Sequence, residues 1–76
     1  MPIVEITGWS PGFQKVSCTS ILHSVAGLGL AEAKNVTDAI LDGHTEIVEL
    51  PSAALAQQLV KSLQQLGASA HVVPAV

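Results

Sequence analysis

Gly27-Leu28-Gly29-Leu30-Ala31-Glu32-Ala33-Lys34 stops one helix and starts another within a few residues. Glycine tolerates a left-handed backbone without a Cβ penalty, so Gly27 and Gly29 let one helix end and the next begin within two or three positions. Ala31, Glu32, Ala33 and Lys34 then favour helix, and Glu32 places an acid in the first turn, where the helix dipole welcomes it. A helix, a tight bend and a second helix are expected at the middle of the chain.

Before the bend, the apolar positions Cys18, Ile21, Leu22 and Val25 recur at helical spacing within residues 14 to 26, and Ser17, Ser20, Ser24 and His23 fall away from that stripe. After it, Leu30, Ala33, Val36 or Thr37, and Ile40 trace a second stripe, stopped by Asp42-Gly43. Residues 2 to 7 are β-branched and partly alternating, with Val4 and Ile6 on one face and Glu5 and Thr7 on the other, so they read as a strand ended by Gly8. Trp9-Ser10-Pro11-Gly12-Phe13 has the chemistry of a turn that holds two aromatics, which either cover the end of the core or serve as contacts.

Residues 44 to 50 alternate again, and Pro51 stops that second strand. Ser52 is a candidate N-cap for a helix carrying Leu55, Leu59, Leu63 and Leu66 on one side, with Gly67 at its C-terminal end. Residues 68 to 73 form a short third strand that Pro74 keeps from extending. The order β-α-α-β-α-β gives three helices with one apolar stripe each and a sheet with one apolar face. The expected fold is an α+β two-layer sandwich over residues 1 to 76, one domain, with a three-stranded antiparallel sheet, the first strand central, and all helices on one face. The strand-helix-strand unit from 44 to 73 is expected to cross right-handed.

Composition narrows the function. The 76 residues are 49% apolar and 12% charged, so the chain should fold rather than stay disordered. A net charge of −3 with three Lys+Arg residues leaves little to neutralise phosphates, so direct nucleic-acid binding is not expected. One cysteine excludes an internal disulfide. The start Met1-Pro2-Ile3-Val4-Glu5 lacks the features of a signal peptide, and no run is long enough for a membrane span, so a cytoplasmic protein is expected.

His23, His44 and His71 lie far apart without paired ligand spacing, and neither a nucleophile elbow nor a third phosphate-loop glycine is present. No metal, cofactor or catalytic set is assigned, and the chain is read as non-enzymatic. Cys18 is expected to be a buried, inert thiol on the first helix's stripe. Asn35-Val36-Thr37 matches a glycosylation acceptor but falls inside a helix.

Lys15-Val16, Gly27-Leu28-Gly29-Leu30, Glu32-Ala33-Lys34, Leu63 and Gly67-Ala68 resemble the C-terminal domain of the bacterial large-subunit ribosomal stalk protein, L seven/L twelve, over roughly residues 4 to 73. The resemblance implies the same element order and a surface, formed by the first two helices and their bend, that recruits translation GTPases. Carried over, Lys15 and Lys34 keep the family's lysines, Val16 an apolar contact, and Gly27, Leu28 and Gly29 the bend. Ser20, His23 and Ala31 stand where the family has a lysine, an arginine and a lysine, and Gln57, Gln58, Gln64 and Gln65 stand in a helix the family fills with acids. Fewer positive charges weaken steering toward acidic partners. The chain starts at the domain, so a standalone domain without the family's N-terminal dimerisation segment and hinge is expected.

The first functional expectation is a protein-binding module that uses residues 14 to 42, extended by Trp9 and Phe13, toward a partner not identified by the sequence. A stalk-type translation component that contacts GTPase factors is the second, and a small inhibitor or immunity-type protein for one cognate target the third. The high apolar fraction also allows homo-oligomerisation.

Overall fold

The structure, a computed structural model, describes residues 2–73. Its elements are β1 (Ile3–Trp9), α1 (Lys15–Ser24), α2 (Leu30–Leu41), β2 (Glu46–Glu49), α3 (Ala53–Gln65) and β3 (Ala68–Val73). The sheet runs β2-β1-β3, and β1 pairs antiparallel with both neighbours. The expected α+β architecture, element order and central first strand are therefore all present.

One sheet face carries the core. Val4 and Ile6 of β1, Val48 of β2, and Ala68 and Ala70 of β3 are buried. They meet Cys18 and Leu22 of α1, Ala33 and Ile40 of α2, and Ala56, Leu59 and Leu63 of α3. The other sheet face carries Glu5, Ile47, Glu49, Ser69 and His71, with Glu5 and His71 paired at 3.1 Å. Small side chains at Ala33, Ala56, Ala68 and Ala70 let helices approach the sheet closely, which replaces aromatic bulk as the means of filling the interior.

The ends of elements differ from expectation in ways that have local causes. Gly8 does not end β1. The ladder with β3 slips between Ile6 and Gly8, so Thr7 is an extra residue and the strand continues through Trp9, which pairs with Ala68. Strict alternation would put Trp9 on the solvent face with Glu5 and Thr7. The bulge turns it to the helix side instead, so it is a strand residue rather than a loop residue. Helix α1 is shorter than residues 14 to 26 because Val25 caps it and Gly27, at φ 74°, turns the chain. Strand β2 begins at Glu46 rather than at residue 44, since His44 closes the end of α2. Its N–H donates to Ala39 O at 3.0 Å while the N–H of Gly43, at φ 90°, donates to Ile40 O at 3.0 Å, which together form a Schellman cap. Ser52 caps α3 as expected, its Oγ accepting from Leu55 N–H at 3.2 Å.

Candidate functional site

Helices α1 and α2 form a hairpin with a groove of about 270 Å³ between them. Lys15, Val16, Thr19 and Ser20 of α1 line one wall, and Lys34, Thr37 and Asp38 of α2 the other. The sequence-assigned residues Lys15, Val16 and Lys34 are thus brought to one place. Val16 is 74% exposed, although a valine there would gain by burial. Among the described residues neither lysine is paired with a carboxylate. Lys15 also sits in the first turn of α1, which has no acidic residue, so its charge faces the positive end of the helix dipole.

The floor is polar and satisfied. Thr19 Oγ1 lies 2.9 Å from Thr37 Oγ1 and 3.1 Å from the Lys15 carbonyl, and Thr37 Oγ1 lies 3.0 Å from the Ala33 carbonyl and 3.6 Å from Cys18 Sγ. Each hydroxyl has one proton, so the Thr19–Thr37 bond leaves a proton for only one of the two helix carbonyls. Thr19, Thr37 and Asp38 were not assigned to the site from the sequence, and Ser20 was noted there only as standing where the family has a lysine. The available signal was a threonine, Thr37, as an alternative on an otherwise apolar stripe.

Cys18 is fully buried beneath this floor. Burial pushes its thiol pKa up, and the Thr37 hydrogen bond offsets part of that rise. The unfolded chain therefore releases this proton first as pH rises. Stability from Cys18 is intact below the ordinary thiol pKa of the unfolded chain and falls as pH climbs from there toward the higher folded value. In denaturant titrations, Cys18→Ala should be less stable than the parent at neutral pH but should show a shallower decline above it.

At the closed end of the hairpin, the Leu28 N–H donates to Leu22 O at 3.3 Å, and His23 Nδ1 donates to Leu28 O at 2.7 Å. His23, which the sequence placed away from the apolar stripe, therefore ties the bend. Leu28 packs half-buried against the core, and Leu30, expected on the buried stripe, is 62% exposed because it opens α2 at the rim. Gly27 needs its glycine, with φ 74°, but Gly29 does not share that need. Gly29 is the N-cap of α2 at φ −61° and ψ 156°, a conformation open to any residue, and a Cβ there would meet nothing within 4 Å. Gly29→Ser should raise stability by about 0.5–1 kcal/mol through a better cap and a less flexible unfolded chain, read as a higher melting temperature.

At the open end, the α2 cap leaves the Leu41 carbonyl exposed, and Trp9 Nε1 donates to it at 3.3 Å. Trp9 remains 46% exposed, with the Phe13 ring 6.3 Å away by centroid and tilted 39°. Phe13 is half-buried against the core. The assigned residues therefore fall in three places along the hairpin: Gly27, Leu28 and Gly29 at the bend, Lys15, Val16 and Lys34 in the groove, and Trp9 and Phe13 at the open end.

Among the described residues, no group of three His, Cys, Asp or Glu side chains could hold a metal ion, and no helix is long and apolar enough to cross a membrane. No protein-family model matches the chain. Over 63 residues, 83% of its length, the chain is 35% identical to the large ribosomal subunit protein bL12 of Chloroherpeton thalassium. The matched region is 47% of that protein, so the chain spans about half the length of the curated relative. That similarity, together with the β-α-α-β-α-β fold, makes this chain a bL12 C-terminal-like domain.

Proposed function

We propose that the chain is a non-enzymatic protein-recognition module of the ribosomal stalk type, acting in the cytoplasm, and that the α1–α2 groove is where it meets a translation factor. The observation that carries this is the placement of Lys15 and Lys34 in one groove beside exposed Val16, in a chain with three Lys+Arg residues and a net charge of −3. An unpaired lysine pair around an apolar patch suits a partner surface that offers carboxylates around an aliphatic side chain. The likeness to a large-subunit ribosomal protein makes a translation GTPase the first partner to test.

The chain immobilised on resin should retain purified elongation GTPases, and retention should fall with rising salt. Failure to retain any of them, together with failure to co-sediment with ribosomes, would remove the translational reading. The Trp9 and Phe13 end adds a rigid aromatic contact to the same surface, since the indole is fixed by its bond to Leu41 O.

A further inference from the structure

The backbone phase of the sheet shows which edge groups look outward. Pro2 pairs with Leu50 one step beyond the Ile3↔Glu49 pair, and Leu50 N–H donates to Pro2 O at 2.9 Å. In an antiparallel strand, N–H and C=O groups of alternate residues point to opposite neighbours. Val4 and Ile6 therefore present their backbone to β2, and Ile3 and Glu5 present theirs to β3. It follows from the β1–β3 register that His71 and Val73 face β1, whereas Ala70 and Val72 face away from the sheet. The Ser10 N–H, which donates to Gly67 O at 2.9 Å, independently fixes the same parity at the other end of β3 and puts Ala68 on the outward set.

That outward edge is unguarded by charge. β3 carries no Lys, Arg, Asp or Glu, whereas the opposite edge strand, β2, carries Glu46 and Glu49. Edge strands ordinarily need such a device to avoid pairing with another chain. Here the side chain of Gln64, at the end of α3, supplies a different one: its Nε2 donates to the outward carbonyl of Ala70 at 3.0 Å.

We propose that Gln64 closes the β3 edge, and that displacing it lets two copies of the chain join β3 to β3 in one continuous antiparallel sheet. The second copy is the occupant that the strand itself favours. A two-fold axis at Ala70 pairs Ala70 with its own equivalent and Ala68 with Val72 of the other copy, so every outward residue enters a hydrogen-bonded pair. On the solvent face, His71 then meets Ser69 of the other copy rather than a second imidazole, so no like charges are opposed. On the helix side, Val72, 37% exposed in the single chain, gains a cross-strand neighbour. The Gln64 amide holds the one acceptor that the central pair requires.

Gln64→Ala tests this without threatening the fold, because Gln64 is exposed and alanine favours helix. Sedimentation velocity from dilute to near-millimolar protein should show a monomeric parent and a variant whose dimerisation is about tenfold tighter or more. Adding Val72→Lys, which sets charge on the joined edge, should return the variant to monomer. An unchanged association constant for Gln64→Ala would overturn the proposal, as would association that persists undiminished with Val72→Lys, or a parent already dimeric through this edge.

Discussion

Gly67→Ala is expected to lower stability by about 2–3 kcal/mol, from a left-handed backbone that costs a non-glycine residue about 1–2 kcal/mol and a close contact that adds to it. Gly67 has φ 96°, and a Cβ there would lie 3.2 Å from Phe13 Cα and 3.4 Å from Phe13 N. Both are backbone atoms, so no side-chain rotation relieves them. The loop cannot simply move aside, because the Gly67 carbonyl accepts from the Ser10 N–H at 2.9 Å and from Ser10 Oγ at 3.1 Å, and the Gln14 N–H donates to Leu66 O at 3.0 Å. Gly12→Ala is the matched control: φ is 94°, but nothing lies within 4 Å of its Cβ position. It should pay the conformational cost alone, about 1–2 kcal/mol. Urea titrations of both variants read the difference, and equal losses would show that the Phe13 contact contributes nothing. For a chain of this size the Gly67 loss corresponds to a fall in melting temperature of roughly 10–20 °C.

The same turn explains where sequence reasoning reached and where it stopped. Gly67, Gly27 and Gly43 were legible as helix stops because each follows a periodic apolar stripe, and all three have positive φ. The helices and strands were legible for the same reason: burial of Leu59, Leu63, Ile40, Val4 and Ile6 follows directly from periods of 3.6 and 2. Trp9 was not legible, because a bulge breaks the period and no local residue pattern marks Thr7 as the extra one. Gly29 looked like a conformational requirement beside Gly27, yet its dihedrals are ordinary. The groove was half legible. Family likeness pointed to Lys15, Val16 and Lys34, whereas Thr19, Thr37 and Asp38 join them only through the crossing of two helices, which is set by packing rather than by either helix alone.

The double substitution Lys15→Glu with Lys34→Glu is expected to weaken binding to an acidic protein partner about 100-fold at physiological salt, mostly through slower association. Each change removes one positive charge and adds one negative charge, which takes the net charge from −3 to −7 and reverses the field at the groove. Because both side chains are exposed, the effect should shrink as salt shortens the reach of the charges, to about 3 Å at 1 M. The fold should respond in the opposite sense at one of the two sites. Lys15 opposes the dipole of α1, so a carboxylate there favours the helix by about 0.3–1 kcal/mol. At Lys34 a carboxylate four residues before Asp38 costs about 0.2–0.5 kcal/mol. The melting temperature should therefore hold or rise while affinity collapses, a combination that general misfolding cannot produce. Val16→Ala, which trims an exposed apolar group without touching charge, should slow association little and speed dissociation instead. If the double variant binds the proposed translation-factor partner as tightly as the parent at low salt, the groove is not the recognition surface, and the Trp9 and Phe13 end would have to carry the contact alone.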